Sequence, residues 1–455
     1  MDNLDTGNIS APAKRSSFAG KLGFVMAAAG SAVGLGNIWR FPYLASTYGG
    51  GVFLLLYIIM CVTFGATIMV AEIAIGRKTG SSPITAFAKL NKKYTWIGYF
   101  TSLISLIILP TYCIIGGWVL KYIVVFCTGQ AQAAASSRYF ANFSSQISEP
   151  LIYFLIFVFL SAFVIMFGVN KGIEKISKIM MPTLAVLCVA LAVYSITLPG
   201  AMPGVKFYFI PDFSKLSAKG ILMALGQVFY SLSLAVGVMI TFGSYLKKDV
   251  SITSSVVQVE GFSVGIAILC GLMVIPSVFA FSRGSRDALT SGSSLMFVTM
   301  PKVFVTMPGS NIFGAIFFIM VFFAAFTSSI SMVEVIVAMF MDRFHISRKV
   351  GCLIVMGVAL LLGIPGLLGN SIWSNVNIFG FSIMNALDAF ASNILLPFAA
   401  LFTCIFVGYI IKPKAVVDEV EEHGYVFKLK KAFSFSIRFI APLCILAIIV
   451  ISFIG

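Results

Sequence analysis

The polar residues of this 455-residue chain that could do chemistry are few, and they sit in unusual places. Residues 30–42 read GSAVGLGNIWRFP, which puts Gly30, Gly34, Gly36, Asn37 and Arg40 inside a run otherwise apolar enough to cross a membrane. A second apolar run is interrupted by GQVFYSLSLAVG, residues 226–237, with Gln227, Ser231, Ser233 and Gly237 near its middle. Each glycine costs a helix about 1 kcal/mol relative to alanine, and polar side chains at bilayer depth are expensive. Close helix packing accounts for an isolated pair of glycines. Matching interruptions in two separate runs ask for more. Where a membrane helix breaks, its freed carbonyls can coordinate a cation such as Na⁺, and the half-helix N-termini can face a carboxylate. That is binding chemistry. For catalysis the chain offers little: its two histidines lie in connectors, and its eight cysteines lie in or at the ends of apolar runs without a CxxC pair. Neither an enzyme nor a metal site nor a disulfide framework is indicated.

The elements that must position these residues are membrane helices. Hydrophobic residues make up 59% of the chain and charged ones 10%, too few charges to cover a soluble protein of this length. Apolar runs long enough to span about 30 Å of hydrocarbon recur throughout. Eleven spans are predicted, near 21–46, 51–76, 94–127, 150–169, 173–198, 218–246, 251–282, 312–341, 349–369, 374–411 and 432–454. The first is too long and too interrupted for a cleaved signal peptide, and no lipidation signal opens the chain. With the N-terminus inside, 22 of the 31 basic residues fall in inner segments, so the positive-inside rule places the N-terminus in the cytoplasm and the C-terminus outside. The net charge of +15 is then a topology signal with no nucleic-acid partner implied. The expected division is a tail at 1–20, a five-span half at 21–198, an outer loop at 199–217, a second five-span half at 218–411, a solvated cytoplasmic connector at 412–431 and a last helix at 432–455. The two breaks fall in the first span of each half, as in transporters built from inverted repeats.

In order along the chain, GSAVGLGNIWRFP, AEIAIGR (71–77), GIEKISKIMMP (172–182), GQVFYSLSL (226–234) and FTSSIS (326–331) give the sequence a strong resemblance to the neurotransmitter:sodium symporters, in their prokaryotic eleven-span branch. The resemblance implies an all-α polytopic membrane protein with the leucine-transporter fold, two inverted five-helix repeats plus one further helix, in the plasma (inner) membrane. It also implies ligands. A first sodium would take the carbonyls of Gly30, Val33 and Ala324 and the hydroxyls of Thr327 and Ser328. A second would take Ala32, Asn37 and Ser231, with Ser263 or Phe262 standing where the family carries an asparagine or aspartate. Tyr57, Gln227 and Ser231 match positions around chloride in animal members, where many prokaryotic members carry a span-seven carboxylate; Ser263 in that position implies a need for chloride, and Glu260 reaching it implies a site with its own negative charge.

The resemblance further implies a substrate site of Ala32, Gly34, Gly36, Ile108, Tyr112, Tyr230, Ser231, Ser233, Val236, Ser328 and Met332. Glycine at 34, where monoamine members carry aspartate, leaves room for a substrate with its own carboxylate, and the uncharged lining favours a neutral, hydrophobic amino acid. Val236, in place of a bulky phenylalanine, suggests extra room. An outer gate is expected from Arg40 and Asp388 as an ion pair, direct or through water, above Tyr230. An inner gate is expected from Arg15, Asp342 and Tyr245, with Phe18 nearby. Gly172 to Pro182 matches a stretch that unwinds in resembling members. Glu72 and Glu334 are expected to be hydrogen-bonded to backbone near a break or protonated. The function implied is sodium-coupled symport of an amino acid by alternating access, with one or two Na⁺ and with Cl⁻ as a further candidate ion. Proton coupling or exchange on the same fold, or a sensor that binds without transporting, are the alternatives. Sequence says nothing of oligomeric state.

Overall fold

The computed structural model describes residues 17–282, 289 and 292–454. Nine helices among these residues are long and apolar enough to cross a membrane: Gly51–Thr79, Lys92–Cys127, Ser148–Met166, Val169–Thr197, Ile252–Phe281, Ser310–Phe344, Arg348–Leu368, Ile383–Ile410 and Lys430–Val450. Lys21–Ala32 and Gly36–Thr47 pass the same test as a pair bent by 57°. The remaining expected span is divided into Ala218–Ser231 and Val238–Gly243, each too short to cross alone. This is compatible with eleven crossings. Below, spans are numbered one to eleven in chain order, the bent pair being span one and the divided helix span six.

Spans three and eight are the most enclosed, while four, five, nine and eleven turn much of their apolar surface outward. Span two crosses the inner half of span six with backbones almost touching. A Cβ on Gly76 would lie 2.9 Å from the amide nitrogen of Ser244, and one on Gly243 would lie 2.9 Å from Cα of Ile73. Small residues permit that approach, which membrane helices use in place of a hydrophobic driving force. The glycine of AEIAIGR is therefore a packing residue.

Three features depart from the sequence expectation. Span ten begins only at Ile383, because residues 377–382 pair as a small antiparallel hairpin, Asn377 opposite Ser382. The stretch from Gly172 is wound, as a wide-turn helical segment Val169–Glu174 running into Lys175–Thr197. The connector at 412–431 is no loose loop. Its helix Lys412–Glu421 places a buried Glu419 on the equally buried Arg77 at the inner end of span two, Nε to Oε1 2.7 Å. Arg77 also donates to the Glu419 carbonyl and, at 2.7 Å, to that of Val250, and Lys248 bridges Glu419 and Glu422 at 2.9 and 2.7 Å. A buried arginine must spend its donors on acceptors, and this helix supplies them.

Candidate functional site

The two helix breaks lie side by side. Span one stops after Ala32, and Val33 leaves the helical region with ψ 86°. Span six stops after Ser231, and Ser233, Ala235 and Gly237 all take positive φ, 49°, 62° and 80°. Left-handed backbone costs a non-glycine residue about 1–2 kcal/mol, so the break needs tethers. It has several. Buried Glu72 of span two accepts the Ala235 N–H at 2.8 Å, which agrees with the backbone partner expected for it. The Ser105 hydroxyl of span three donates to the Val236 carbonyl at 2.6 Å. Ser233 donates to the Ser31 carbonyl at 2.8 Å, and Gln227 Nε2 donates to the Gly36 carbonyl at 3.2 Å, joining the two breaks.

Oxygens gather at two places around them. The Ser328 hydroxyl lies 3.1 Å from the Ser31 carbonyl, 3.4 Å from that of Gly30 and 3.5 Å from that of Val33. One hydroxyl proton cannot serve three carbonyls, so electron-rich oxygens face one another. Thr327 stands beside them. Its hydroxyl donates to the Phe323 carbonyl at 2.8 Å with Ala324 O at 3.3 Å, and a Cβ on Gly30 would lie 3.1 Å from its Cβ. The five residues expected at the first sodium, with Ser31 in addition, thus come together. Such a cluster of carbonyl and hydroxyl oxygens fits a hard monovalent cation.

The second cluster forms around Asn37. Its Nδ2 donates to Ser263 at 3.3 Å, Ser263 donates to the Ser231 carbonyl at 2.6 Å, and Gln227 donates to the Ser231 hydroxyl at 2.9 Å. Of the alternatives in span seven, Ser263 therefore faces Asn37. Asn37 Oδ1 and Gln227 Oε1 are buried without a hydrogen-bond partner, and buried orphans of this kind need a cause. Ser231 and Cys61 lie next to the Tyr57 hydroxyl. One turn before Ser263, Glu260 Oε1 is also unpartnered and would lie 3.3 Å from a Cβ on Gly65. Ala32 contributes a carbonyl that accepts the Gly34 N–H at 3.1 Å.

Between the breaks and span three lies a cavity of about 40 Å³, lined in part by Ile108, Tyr112, Tyr230, Ser233, Val236, Ser328 and Met332, as expected. Ser31, Phe229 and Leu396 complete its wall and were not foreseen. Phe229 and Leu396 add apolar surface to the same wall as Val236. Four expected residues do not line it. Ser231 is turned to Gln227, and Ala32 lies in the break. A Cβ on Gly34 would meet Tyr112 Oη at 3.0 Å and Ser328 Oγ at 3.2 Å, and one on Gly36 would meet the Tyr230 ring at 2.6 Å.

Outside this cavity is a larger one of about 280 Å³, whose wall includes Arg40, Asp388, Tyr112 and Tyr230. Arg40 and Asp388 make no direct ion pair among the described residues, though both charges face the same cavity, as the water-bridged form of the expectation requires. The Arg40 guanidinium instead lies 4.7 Å over the Tyr230 ring, and the Tyr230 hydroxyl donates to Asp388 Oδ1 at 3.1 Å, so the tyrosine joins the two charges. Stacking on the aromatic face lets the half-buried guanidinium stay on the wet side of the vestibule. At the expected inner gate, Arg15 lies outside the described residues. Asp342 accepts the Ser82 N–H at 2.7 Å at the start of a short inner helix. Tyr245 donates to Glu334 at 2.7 Å, and Glu334 is gripped by Arg348 at 2.6 and 2.9 Å. The partner expected for Glu334 was backbone or a proton, and it is an arginine fourteen residues on. Phe18 packs edge-on against Phe24, Phe242 and Tyr245 and is buried.

The model of the sodium:neurotransmitter symporter family matches residues 15–138 and 139–455. The uncharacterised sodium-dependent transporter YhdH of Bacillus subtilis (strain 168) is 37% identical over 445 residues, 95% of this chain and 96% of that protein. An uncharacterised sodium-dependent transporter of Methanocaldococcus jannaschii, MJ1319, is 33% identical over 90% of this chain and 84% of its own length. The crystal structure of MhsT in complex with L-phenylalanine superposes with a TM-score of 0.87 at 37% identity, covering 96% of this chain and 100% of the other. The leucine-transporter fold expected from the motifs is the fold observed.

Proposed function

The chain belongs to the sodium:neurotransmitter symporter family, and on that premise we propose that it imports a neutral, hydrophobic α-amino acid together with Na⁺ by alternating access. The observation that carries this reading is the crowding of three carbonyls on the single Ser328 hydroxyl at the edge of the cavity beside Gly34. A cation there resolves the oxygen–oxygen contacts, and the Tyr112 and Ser328 hydroxyls that crowd Gly34 are placed to meet the substrate's own carboxylate. Gly30, Val33, Ala324, Thr327 and Ser328 hold the first sodium. Ala32, Asn37, Ser231 and Ser263 hold a second, which gives the orphan Asn37 Oδ1 its partner. Tyr112 hydrogen-bonds the carboxylate, and the side chain lies among Ile108, Val236, Phe229, Met332 and Leu396, which move aside for it. L-Phenylalanine, the ligand of MhsT in its crystal structure, is the first substrate to try.

Near Tyr57, Gln227 and Ser231 the balancing negative charge is Glu260, whose Oε1 has no other partner, and chloride is dispensable. The protein sits in the plasma (inner) membrane with its N-terminus in the cytoplasm. It divides at 21–198 and 218–411 into two repeats, with span eleven outside them. The test is uptake of labelled neutral amino acids into proteoliposomes, with and without an inward Na⁺ gradient, in chloride and then gluconate. Accumulation that needs sodium supports the reading. Uptake indifferent to sodium overturns both ion sites, and sodium-stimulated binding without accumulation makes the protein a sensor.

A further inference from the structure

A second feature of the molecule lies away from the pocket between the helix breaks. At the cytoplasmic ends of spans four and five a cavity of about 790 Å³ opens between Phe163 and Phe167 on one side and Ile176 and Ile179 on the other. Phe163, Phe167 and Ile179 are about half exposed, at 48%, 57% and 60%, on the outward faces of their helices. Lys171, Lys175 and Lys178 stand around the same cavity, with Ala19 at its edge. Lys247 reaches that edge too, donating to the Ala19 carbonyl at 3.0 Å. Glu174 is the sole acidic group in the wall. It is already engaged, by Lys178 at 2.5 Å and by the Ala19 N–H at 2.8 Å. Among the described residues Lys171 and Lys175 have neither an ion pair nor a hydrogen-bond partner.

We propose that this cavity binds the headgroup of an anionic phospholipid of the inner leaflet, with Lys171 and Lys175 on the phosphate and the phenylalanines on the upper acyl chains. Cationic walls and apolar walls meet in one recess of headgroup size at the depth where a span leaves the hydrocarbon, the arrangement by which basic pockets on the cytoplasmic side of membrane helices select acidic lipids. Positive-inside bias alone accounts for lysines in this loop. It does not account for a recess lined by them and by exposed aromatics together. The occupant would also rest on Val169–Glu174, the segment whose Glu174 holds the backbone just before span one.

The test is thermal unfolding of the purified full chain in neutral-detergent micelles. Phosphatidylglycerol, phosphatidylcholine or soluble glycerol phosphate is added at equal concentration to wild type, to the Lys171→Gln/Lys175→Gln double variant and to a Lys92→Gln/Lys93→Gln control from another inner loop. The expected result is a melting temperature several degrees higher in phosphatidylglycerol than in phosphatidylcholine for wild type and control. The Lys171/Lys175 variant should lose that increment while matching wild type in phosphatidylcholine. An equal increment in all three proteins would mean diffuse charge attraction and overturn the site. An increment from glycerol phosphate as large as from the lipid would overturn the lipid as occupant.

Discussion

Replacing Gly36 by alanine should open the lid over the pocket while leaving every proposed ligand in place. A Cβ at this position would sit 2.6 Å from Cδ1 of Tyr230, against about 3.4–4 Å for an ordinary carbon contact, so the ring must retreat by roughly 1 Å. It is not free to do so. Its hydroxyl donates to Asp388 at 3.1 Å and accepts from Ser392 at 3.3 Å, and the Arg40 guanidinium covers its face. Either the overlap persists, at about 1–3 kcal/mol, or the charge-assisted bond to Asp388 is lost, at about 1.5–3 kcal/mol. Either cost falls on the conformation with the ring closed. Apparent substrate affinity should therefore fall by about 10- to 100-fold, because it scales with the population of the closed form. The Gly36 carbonyl keeps its bond to Gln227, so sodium binding alone should change little. The assay is equilibrium binding at saturating Na⁺ of the amino acid that the wild type accumulates, repeated in a Tyr230→Leu background. There the penalty for Gly36→Ala should shrink, with a coupling of at least about 1 kcal/mol. Wild-type affinity in the single variant, or strict additivity in the double, would refute the reasoning.

Ser328→Ala should raise the sodium concentration for half-maximal uptake by about tenfold or more, since a ligand to a charge is worth about 1.5–3 kcal/mol; maximal uptake should recover at high Na⁺, and a sodium dependence equal to wild type removes Ser328 from the site. Glu260→Gln should make uptake depend on chloride while the wild type works equally in gluconate; a chloride-dependent wild type with an unaffected variant contradicts the assignment. Lys430 with the Phe427 amide, and Lys248, hold the carboxyls of Glu421 and Glu422 below the usual range. Their contribution to docking the 412–431 segment is present above the ordinary carboxylate pKa and is lost as pH falls through the lowered values. Hydrogen exchange in that segment, corrected for the intrinsic rate, should stay flat down to about pH 5 and rise progressively below it. Loosening already between pH 7 and 6 would count against these pairs. The effect should be small and salt-sensitive, since both groups face solvent.

What could be seen in the sequence was whatever announces itself locally. Gly30, Gly34 and Gly36 in one span and Ser231, Ser233 and Gly237 in another are conspicuous because lipid makes polar and flexible residues costly, and the family resemblance carried seven of the pocket's lining residues, three of them beside the second break. What stayed hidden depends on chain segments meeting. Glu334 could not be matched to Arg348 while that arginine served equally well as a topology signal. Arg77 and Glu419 lie 342 residues apart, so a charge-rich stretch read as solvated turned out to carry a buried anchor. Phe229 and Leu396 look like any lipid-facing residue until span ten is laid against span six. Arg40 and Asp388 were both placed at the vestibule, but the ring between them decides that they act through Tyr230.

The wall separating the outer vestibule from the inner cavity is the pair Tyr112 and Tyr230, which line both. Below the cavity, by contrast, Phe18 is wedged among three rings and Tyr245 is tied to a buried ion pair. Traffic in the two directions then runs on different clocks. Rotamer flips of exposed side chains take picoseconds to nanoseconds, whereas collective displacement of packed helices takes microseconds to milliseconds. The vestibule side of the pocket is closed by two side chains, one of them held by Asp388 and Ser392, and the opposite side by packed helix ends. On the proposed reading, solute in the vestibule should therefore exchange with the pocket more readily than solute beyond the packed end, and variants that loosen Phe18 or Tyr245 should change turnover more than affinity.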